Sequence, residues 1–401
     1  MLHAAALLVL ANVAQPFQYL DELRTQERAV AEHPQAGRER NIGLMMLAYA
    51  QSYVDASEKV GVTYYGQNGD PPAASSDDEE RARKLLASHE PREALAAIVE
   101  AARDRQIVII NEAHVMPRHR AFSTRLALEL RKLGFEYLAV ETLDNRSPDT
   151  VASLQARGYP VVEDGYYSKE PVFGDFLRQS LAAGYKMVAY EFAGYTDDYD
   201  KLDPVDAQIQ RENGQAQNII DSVLAKDPRA RIFIHVGHGH VEKGSSEFMG
   251  KQIEFMAERL KQKTGIDPLC IQQTRSSWPR QIKADRPLTD VVLKTFRGES
   301  FVMARREGAG FINSGGVDIE VWHRPETLRR GRPDWLSMGG YRRPKVIPAK
   351  LLPKQGRRLL QAFVEGESPD AVPIDQVLVT AGEPPPVFML PKGKYRFAYQ
   401  D

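Results

Sequence analysis

At 401 residues the chain exceeds the size at which a single hydrophobic core stops growing, so one large domain with an appendage, or two domains, is expected. Apolar residues at 42% and charged residues at 27% exclude disorder as the starting point, and a formal charge of −1 provides no overall field to draw in nucleic acid or an anionic membrane. The single cysteine, Cys270, excludes an intrachain disulfide and any cysteine-rich zinc site.

Ala4 to Ala14 read AAALLVLANVA, an apolar run too short to cross a bilayer as a helix. It fits the core of a signal peptide, although the usual positive residues before it are missing, or an amphipathic first helix. The first reading places the protein in the periplasm or outside the cell, the second in the cytoplasm. No transmembrane segment is read elsewhere.

From Gln18 to Val60 the pattern is helical, broken by Pro34 and Gly37. Tyr64 to Glu80 combine glycine, proline, serine and acids without periodicity and read as a linker, so residues 1–80 form an N-terminal helical segment. Residues 81–300 repeat one grammar. Pro91 suits the first turn of a helix that runs on through EALAAIVEAARDR into the strand QIVIIN, Gln106 to Asn111. A helix ended by Gly134 leads to EYLAVE, and one ended by Gly184 leads to KMVAYE. AQIQRENGQAQNIIDSVLAKDP reads as a long helix before RIFIHV, and EFMGKQIEFMAERLKQKTG precedes PLCIQQ in the same grammar.

Strands this uniformly apolar, alternating with helices, imply an α/β fold with a mostly parallel central sheet flanked by helices. Residues 301–401, with FVMARR, VDIEVWHR, QVLVT and YRFAY among prolines and glycines, read as a smaller β-rich C-terminal region. Within it, Arg324 to Arg358 carry 11 Lys or Arg against two acids, Glu326 and Asp334. That stretch reads as a solvated surface or as a site for anionic partners.

Ionisable residues gather at the ends of the expected strands. Asn111 and Glu112 end the first, Glu141 the second, Glu191 the third, and His235 to His240 follow the fourth. Ligands of open α/β sheets bind beyond the carboxyl ends of the strands, so these groups are expected to converge there. Glu112 and His114 share one strand end, where a carboxylate can orient an imidazole or share a metal with it. His119 is expected on an exposed first helical turn beside Pro117. In HVGHGH, His235 reads as a strand residue, His238 as a loop residue and His240 as the functional imidazole. Glu112, Glu141 and Glu191 would repel one another unless a proton, a metal or an arginine compensates. Arg211, beside Glu212, is either that counter-charge or half of a solvated pair.

INEAHVMPRHRAF resembles the G-E-x-H segment of the erythromycin esterase and ChaN-like superfamily, which includes the TIKI-type metal-dependent proteases. QRENGQAQNII resembles that family's R-D-x-x-M-A-x-N-I helix, with Arg211 on its arginine and Glu212 on its acid, and FIHVGHGHV resembles its histidine-ending strand, with His240 on the last histidine. The resemblance spans Gln106 to Glu242. Asn111 stands where glycine is usual, Glu212 where aspartate is, and Gln215 where methionine is. Esterases, metal-dependent proteases and haem-binding lipoproteins are the functions it implies.

The residues thus point to a hydrolase acting on a small-molecule or peptide substrate. His114 or His240, oriented by Glu112 or Glu141, would activate water, and Arg211 or the other imidazole would stabilise the oxyanion. No G-x-S-x-G elbow is present. A metal-assisted form would hold zinc or manganese on His114, Glu141, Glu191 and His240. The alternative is a haem or small-ligand binding protein without catalysis.

Overall fold

The structure, a computed structural model, describes residues 17–65, 72–194, 196, 199–313 and 315–401. The apolar run Ala4 to Ala14 lies outside the described residues. At the centre is a six-stranded sheet built from β2 (Ile107–Glu112), β3 (Tyr137–Val140), β4 (Lys186–Ala189), β5 (Ile232–Gly237), β8 (Leu269–Gln272) and β10 (Ile319–Glu320). Its order is β10-β8-β2-β5-β3-β4, and every pairing is parallel.

Alternate residues of each strand feed opposite cores. Val108 and Ile110 of β2 pack with Phe122, Leu126, Phe173 and Phe176 on one face. Ile107 and Ile109 pack with Ile219, Val223, Met256 and Leu260 on the other. Because both faces are covered, both sets are apolar and the in/out alternation of a half-exposed strand disappears. The covering helices are α5 (Ala94–Ala101), α6 (Pro117–Lys132), α7 (Pro148–Arg157), α8 (Pro171–Ala182), α9 (Pro204–Ile219) and α10 (Met256–Thr264), while α11 (Pro279–Thr295) packs apart from them with Phe301, Met303 and Trp322. The turns after α6 and α8 pass through Gly134 and Gly184 at φ of 88° and 85°, the left-handed region that glycine enters without cost. The outer edge at β4 is closed by Gln155 of α7, whose amide donates to the Tyr185 carbonyl and accepts from the Met187 N–H. That side chain occupies hydrogen-bonding groups that would otherwise template another strand.

Several local expectations are corrected. Pro91 does not start a helix; it lies in β1 (His89–Glu93), antiparallel to β9 (Ser300–Arg305), and the helix begins at Ala94. The tail of the expected linker is helical, because Ser75 caps α4 (Ser76–Ser88) in a reciprocal box with Asp78. Residues 245–254 form a hairpin, β6 (Ser245–Phe248) and β7 (Lys251–Glu254), turned by Met249 and Gly250, both at positive φ. Only Met256–Thr264 of that segment is helix.

The N-terminal helices α1 (Tyr19–Glu32) and α2 (Arg38–Val54) cover the C-terminal antiparallel sheet of strands Arg357–Val364, Asp375–Thr380 and Tyr395–Gln400, while the short α3 (Lys59–Tyr65) packs with Ala113, Val115 and Met116 after β2. Gln400 accepts from the Leu20 N–H and donates to the Phe17 carbonyl, and Gln376 donates to the Tyr53 carbonyl. The first described helices and the last strands are therefore one packing unit. Buried ion pairs fasten it to the central sheet, notably Arg342 to Asp175 of α8 at 2.6 Å. No helix among the described residues is long and apolar enough to cross a membrane.

Asp175→Ala strands the fully buried Arg342 guanidinium without its carboxylate. A loss of about 3–5 kcal/mol is expected, because an uncompensated buried charge costs more than the pair returns. A shift in the urea midpoint measures it, and an unchanged midpoint contradicts the assignment.

Candidate functional site

The strand register explains why distant residues meet. Glu112 at the end of β2 lies opposite Gly237 at the end of β5, and Val140 at the end of β3 lies opposite His235. The loops after these strands therefore leave the sheet side by side, carrying His114, Glu141 and His240 into one crevice.

Glu112 is buried and accepts two hydrogen bonds from Arg120, at 2.7 and 2.9 Å. The same carboxylate meets His114 Nδ1 at 2.9 Å. Burial opposes its ionisation, but Arg120, His114 and His235 outweigh burial and hold its carboxyl well below the usual range. The His114 ring stacks on Tyr167 with centroids 3.9 Å apart and planes 9° from parallel. Tyr167 is fixed in turn, because Thr142 Oγ accepts from its backbone N–H at 2.7 Å. The other edge of the imidazole lies over Gly237, where an added Cβ would come within 2.4 Å of Cε1 and Nε2. Gly237 has an ordinary φ of −86°. It is therefore glycine for space, not for conformation.

A second dyad faces the first. His240 Nδ1 contacts Glu212, a fully buried residue of α9 that also accepts from the Met256 N–H at 2.7 Å. His240 Nε2 lies 3.1 Å from Arg211 Nη1 and 3.8 Å from Glu141. Burial lowers the His240 pKa, Glu212 and Glu141 raise it, Arg211 lowers it, and the net direction is upward. With its Nδ1–H on Glu212, the neutral ring can accept from Arg211 at Nε2; protonation adds an Nε2–H on the side of Glu141, 3.8 Å away.

Arg211 sits where a compensating cation is needed. It donates to Glu141 at 2.8 Å and to Glu191 from Nε at 3.0 Å, with a further Nη2 contact to Glu191. Gln215, one turn along α9, donates to both Glu191 oxygens at 3.1 Å. Glu141 also accepts from the Gly237 N–H. Burial works against ionised Glu141, but His240, Arg211 and His114 together hold its pKa below the ordinary value. The guanidinium thus lies among Glu141, Glu191 and His240, three of the four ligands expected for a metal. Among the described residues, no three histidine, cysteine or acidic side chains are grouped to hold an ion.

A cleft of about 370 Å³ opens over this floor, lined by Glu141, Glu191, Arg211, Tyr166, Tyr167 and Phe192. His114 lies behind Tyr167, and His240 behind Arg211. The site thus brings together all six sequence candidates, Glu112, His114, Glu141, Glu191, Arg211 and His240.

Other histidines divide. His119 is not exposed: it is buried, accepts from the Ala113 N–H at 3.0 Å and meets Ser277 Oγ at 3.0 Å, with burial holding its pKa at about 3. The first turn of α6 faces inward because β2 and the loop after β8 close over it. His235 is a buried strand residue between Phe173 and Phe176, as its pattern implied. His238, at φ 33°, stands beside His114 with centroids 5.2 Å apart and lies over Tyr64. Burial and the nearby His114 lower its pKa to about 3, so it is neutral. The sequence left Glu212, Tyr167 and Arg120 without site roles. Glu212 alone had a local signal, being next to Arg211 on the same helix.

Glu112→Gln leaves the buried Arg120 with Glu170, at 3.2 Å, as its remaining carboxylate partner, and a loss of about 1–3 kcal/mol is expected. The Glu112 carboxyl titrates below its ordinary 4.5 in the folded protein, so its stabilisation is complete above that pH and is lost as pH falls through the folded value. Urea midpoints taken between neutrality and pH 3 are expected to fall more steeply for the native chain than for the variant; parallel curves contradict this account.

No protein-family model matches the chain, and no curated protein gives a significant match. Among solved structures, two described as bacterial protein toxins, and RRSP, a MARTX toxin effector domain from Vibrio vulnificus CMCP6, align at 13% identity and a TM-score of 0.32. The alignments cover 59% to 61% of this chain and 51% to 56% of those chains, so this chain spans about half their length. At that TM-score the likeness assigns no function to the chain.

Proposed function

We propose that the protein is a hydrolase that activates water with a carboxylate-oriented imidazole and acts on an ester or amide of a small molecule or peptide. One observation supports this reading above the rest: two imidazoles, each held at Nδ1 by a buried glutamate, lie close to one carboxylate, Glu141, which Arg211 pairs at the floor of a cleft. That is the arrangement a base and an acid need around one reacting centre. The sequence resemblance to the erythromycin esterase and ChaN-like superfamily includes this reaction class among the functions it implies.

In this mechanism Glu112 holds the His114 Nδ1–H, which leaves Nε2 basic and directed towards the crevice between Gly237 and Glu141. Water gives its proton to His114 Nε2 and attacks the substrate carbonyl. Arg211 faces the developing oxyanion, in a site where low exposure makes the charge count for more than in water. His240, whose pKa the paired glutamates raise, protonates the leaving group from Nε2. Glu141 and Glu191 hold Arg211 in place. The aromatic walls from Tyr166, Tyr167 and Phe192 bound the substrate.

The metal-assisted form would use His114, Glu141, Glu191 and His240 as ligands and needs Arg211 to leave the position between them. Turnover on ester and peptide panels is therefore expected to survive chelation. Activity abolished by chelator, with a stoichiometric ion that His240→Ala removes, selects the metal form instead.

His114→Ala is expected to reduce kcat by about 10²- to 10⁴-fold with the fold intact. Undiminished turnover excludes His114 as the base.

The pH profile tests His240 separately. As the acid it must be protonated, so kcat falls as pH rises through its elevated pKa. Glu212→Gln removes the main group raising that pKa, and the alkaline limb is expected to move to lower pH. A limb that stays in place assigns it to another group.

A further inference from the structure

A second cavity lies apart from the cleft and shares no lining residue with it. Its volume is about 470 Å³, and five arginines line it, Arg118, Arg324, Arg329, Arg330 and Arg332, against Glu299 and Asp334. Some of that charge is cancelled inside the protein. Arg118 pairs with Glu58, Arg332 with Asp375 at 2.5 Å, and Glu299 with Arg125 at 2.5 Å. Arg324 is fixed by the Phe296 and Gly298 carbonyls, at 2.6 and 3.3 Å, which position its charge without neutralising it. Among the described residues, the side chains of Arg329 and Arg330 have no ion-pair or hydrogen-bond partner. Three guanidinium groups thus face one uncompensated carboxylate, Asp334.

The backbone that carries two of them is strained. Leu328–Arg329 and Arg332–Pro333 pair as a two-residue hairpin whose turn is Arg330–Gly331. Both turn residues have positive φ, 52° at Arg330 and 74° at Gly331. Such turns select asparagine, aspartate or glycine at the first position, and an arginine there is disfavoured. The turn is also held in place, because a Cβ on Gly331 would lie 2.9 Å from Pro386. An unfavourable residue in a braced turn, aimed with its neighbours at one cavity, is a pattern found where function offsets local strain.

We propose that this cavity binds a compact anion carrying at least two phosphoryl groups. Guanidinium forks match phosphoryl oxygens in geometry, and the cavity falls in the volume range of small-ligand sites. The concave shape and the apolar walls at Pro325, Pro333 and Trp335 suit a small molecule better than a charged polymer lying across the surface.

Calorimetry of the full chain with inorganic tripolyphosphate tests this. Saturable binding is expected that weakens as salt is raised. The double variant R329E/R330E, on an exposed hairpin and unchanged in circular dichroism, is expected to bind at least about 10-fold more weakly. K350E/K354E, in the same basic segment but outside the cavity, is expected to bind like the native chain. Absence of saturable binding by the native chain overturns the proposal. Equal weakening in both variants also overturns it, since that marks diffuse surface charge. Tighter binding of a heparin-type sulfated oligosaccharide than of tripolyphosphate overturns the compact-ligand assignment.

Discussion

Three carboxylates, Glu112, Glu141 and Glu191, stand at or just beyond the ends of the parallel strands β2, β3 and β4, and the charge they would place together in a poorly solvated crevice is the constraint that shapes everything around them. Two arginines answer it. Arg120, wholly buried, takes both oxygens of Glu112, while Arg211 reaches Glu141 and Glu191 together. Each guanidinium removes repulsion and also fixes geometry, since its planar fork admits few arrangements of the oxygens it serves. The imidazoles are then held against acids whose positions are already set. Remove an arginine, and the carboxylates must take up protons or move.

The same constraint separates two roles for histidine. His119, His235 and His238 are kept neutral by burial, and His119 and His235 serve packing and loop closure. His240, pressed between two acids, is driven the other way. A chain with nine histidines thus places imidazoles of opposite protonation preference within one crevice. The division follows from which acids lie within reach of each ring. Gly237 makes it feasible, because any side chain there would occupy the space of the His114 ring.

The C-terminal region plays a different part. Its strand Ile319–Glu320 extends the central sheet, and its antiparallel strands pack beneath the N-terminal helices. The basic segment within it is neither uniformly solvated nor uniformly paired. Arg332 and Arg342 are buried in ion pairs that hold the region together, whereas Arg324, Arg329 and Arg330 gather at a cavity.

The sequence by itself determined the α/β architecture and the residues at the strand ends, because strands covered on both faces carry unbroken apolar runs and their first polar residues mark where the sheet stops. Glu112, His114, Glu141, Glu191 and His240 were legible for that reason, whereas the sequence left Arg211, on a helix, open between counter-charge and solvated pair. It misjudged the segment around Met249, where helix-like periodicity hid a hairpin set by two positive-φ residues, and Pro91, whose place on an edge strand depends on β9 more than two hundred residues later. Only the tertiary structure decided that His119 is buried, that Glu212 rather than Glu141 meets His240 Nδ1, that Tyr167 stacks on His114, and that Arg211 lies among Glu141, Glu191 and His240. Each of these rests on contacts between segments far apart in the chain. Strand register and helix rotation fix such contacts, and neither leaves a local mark in the order of residues.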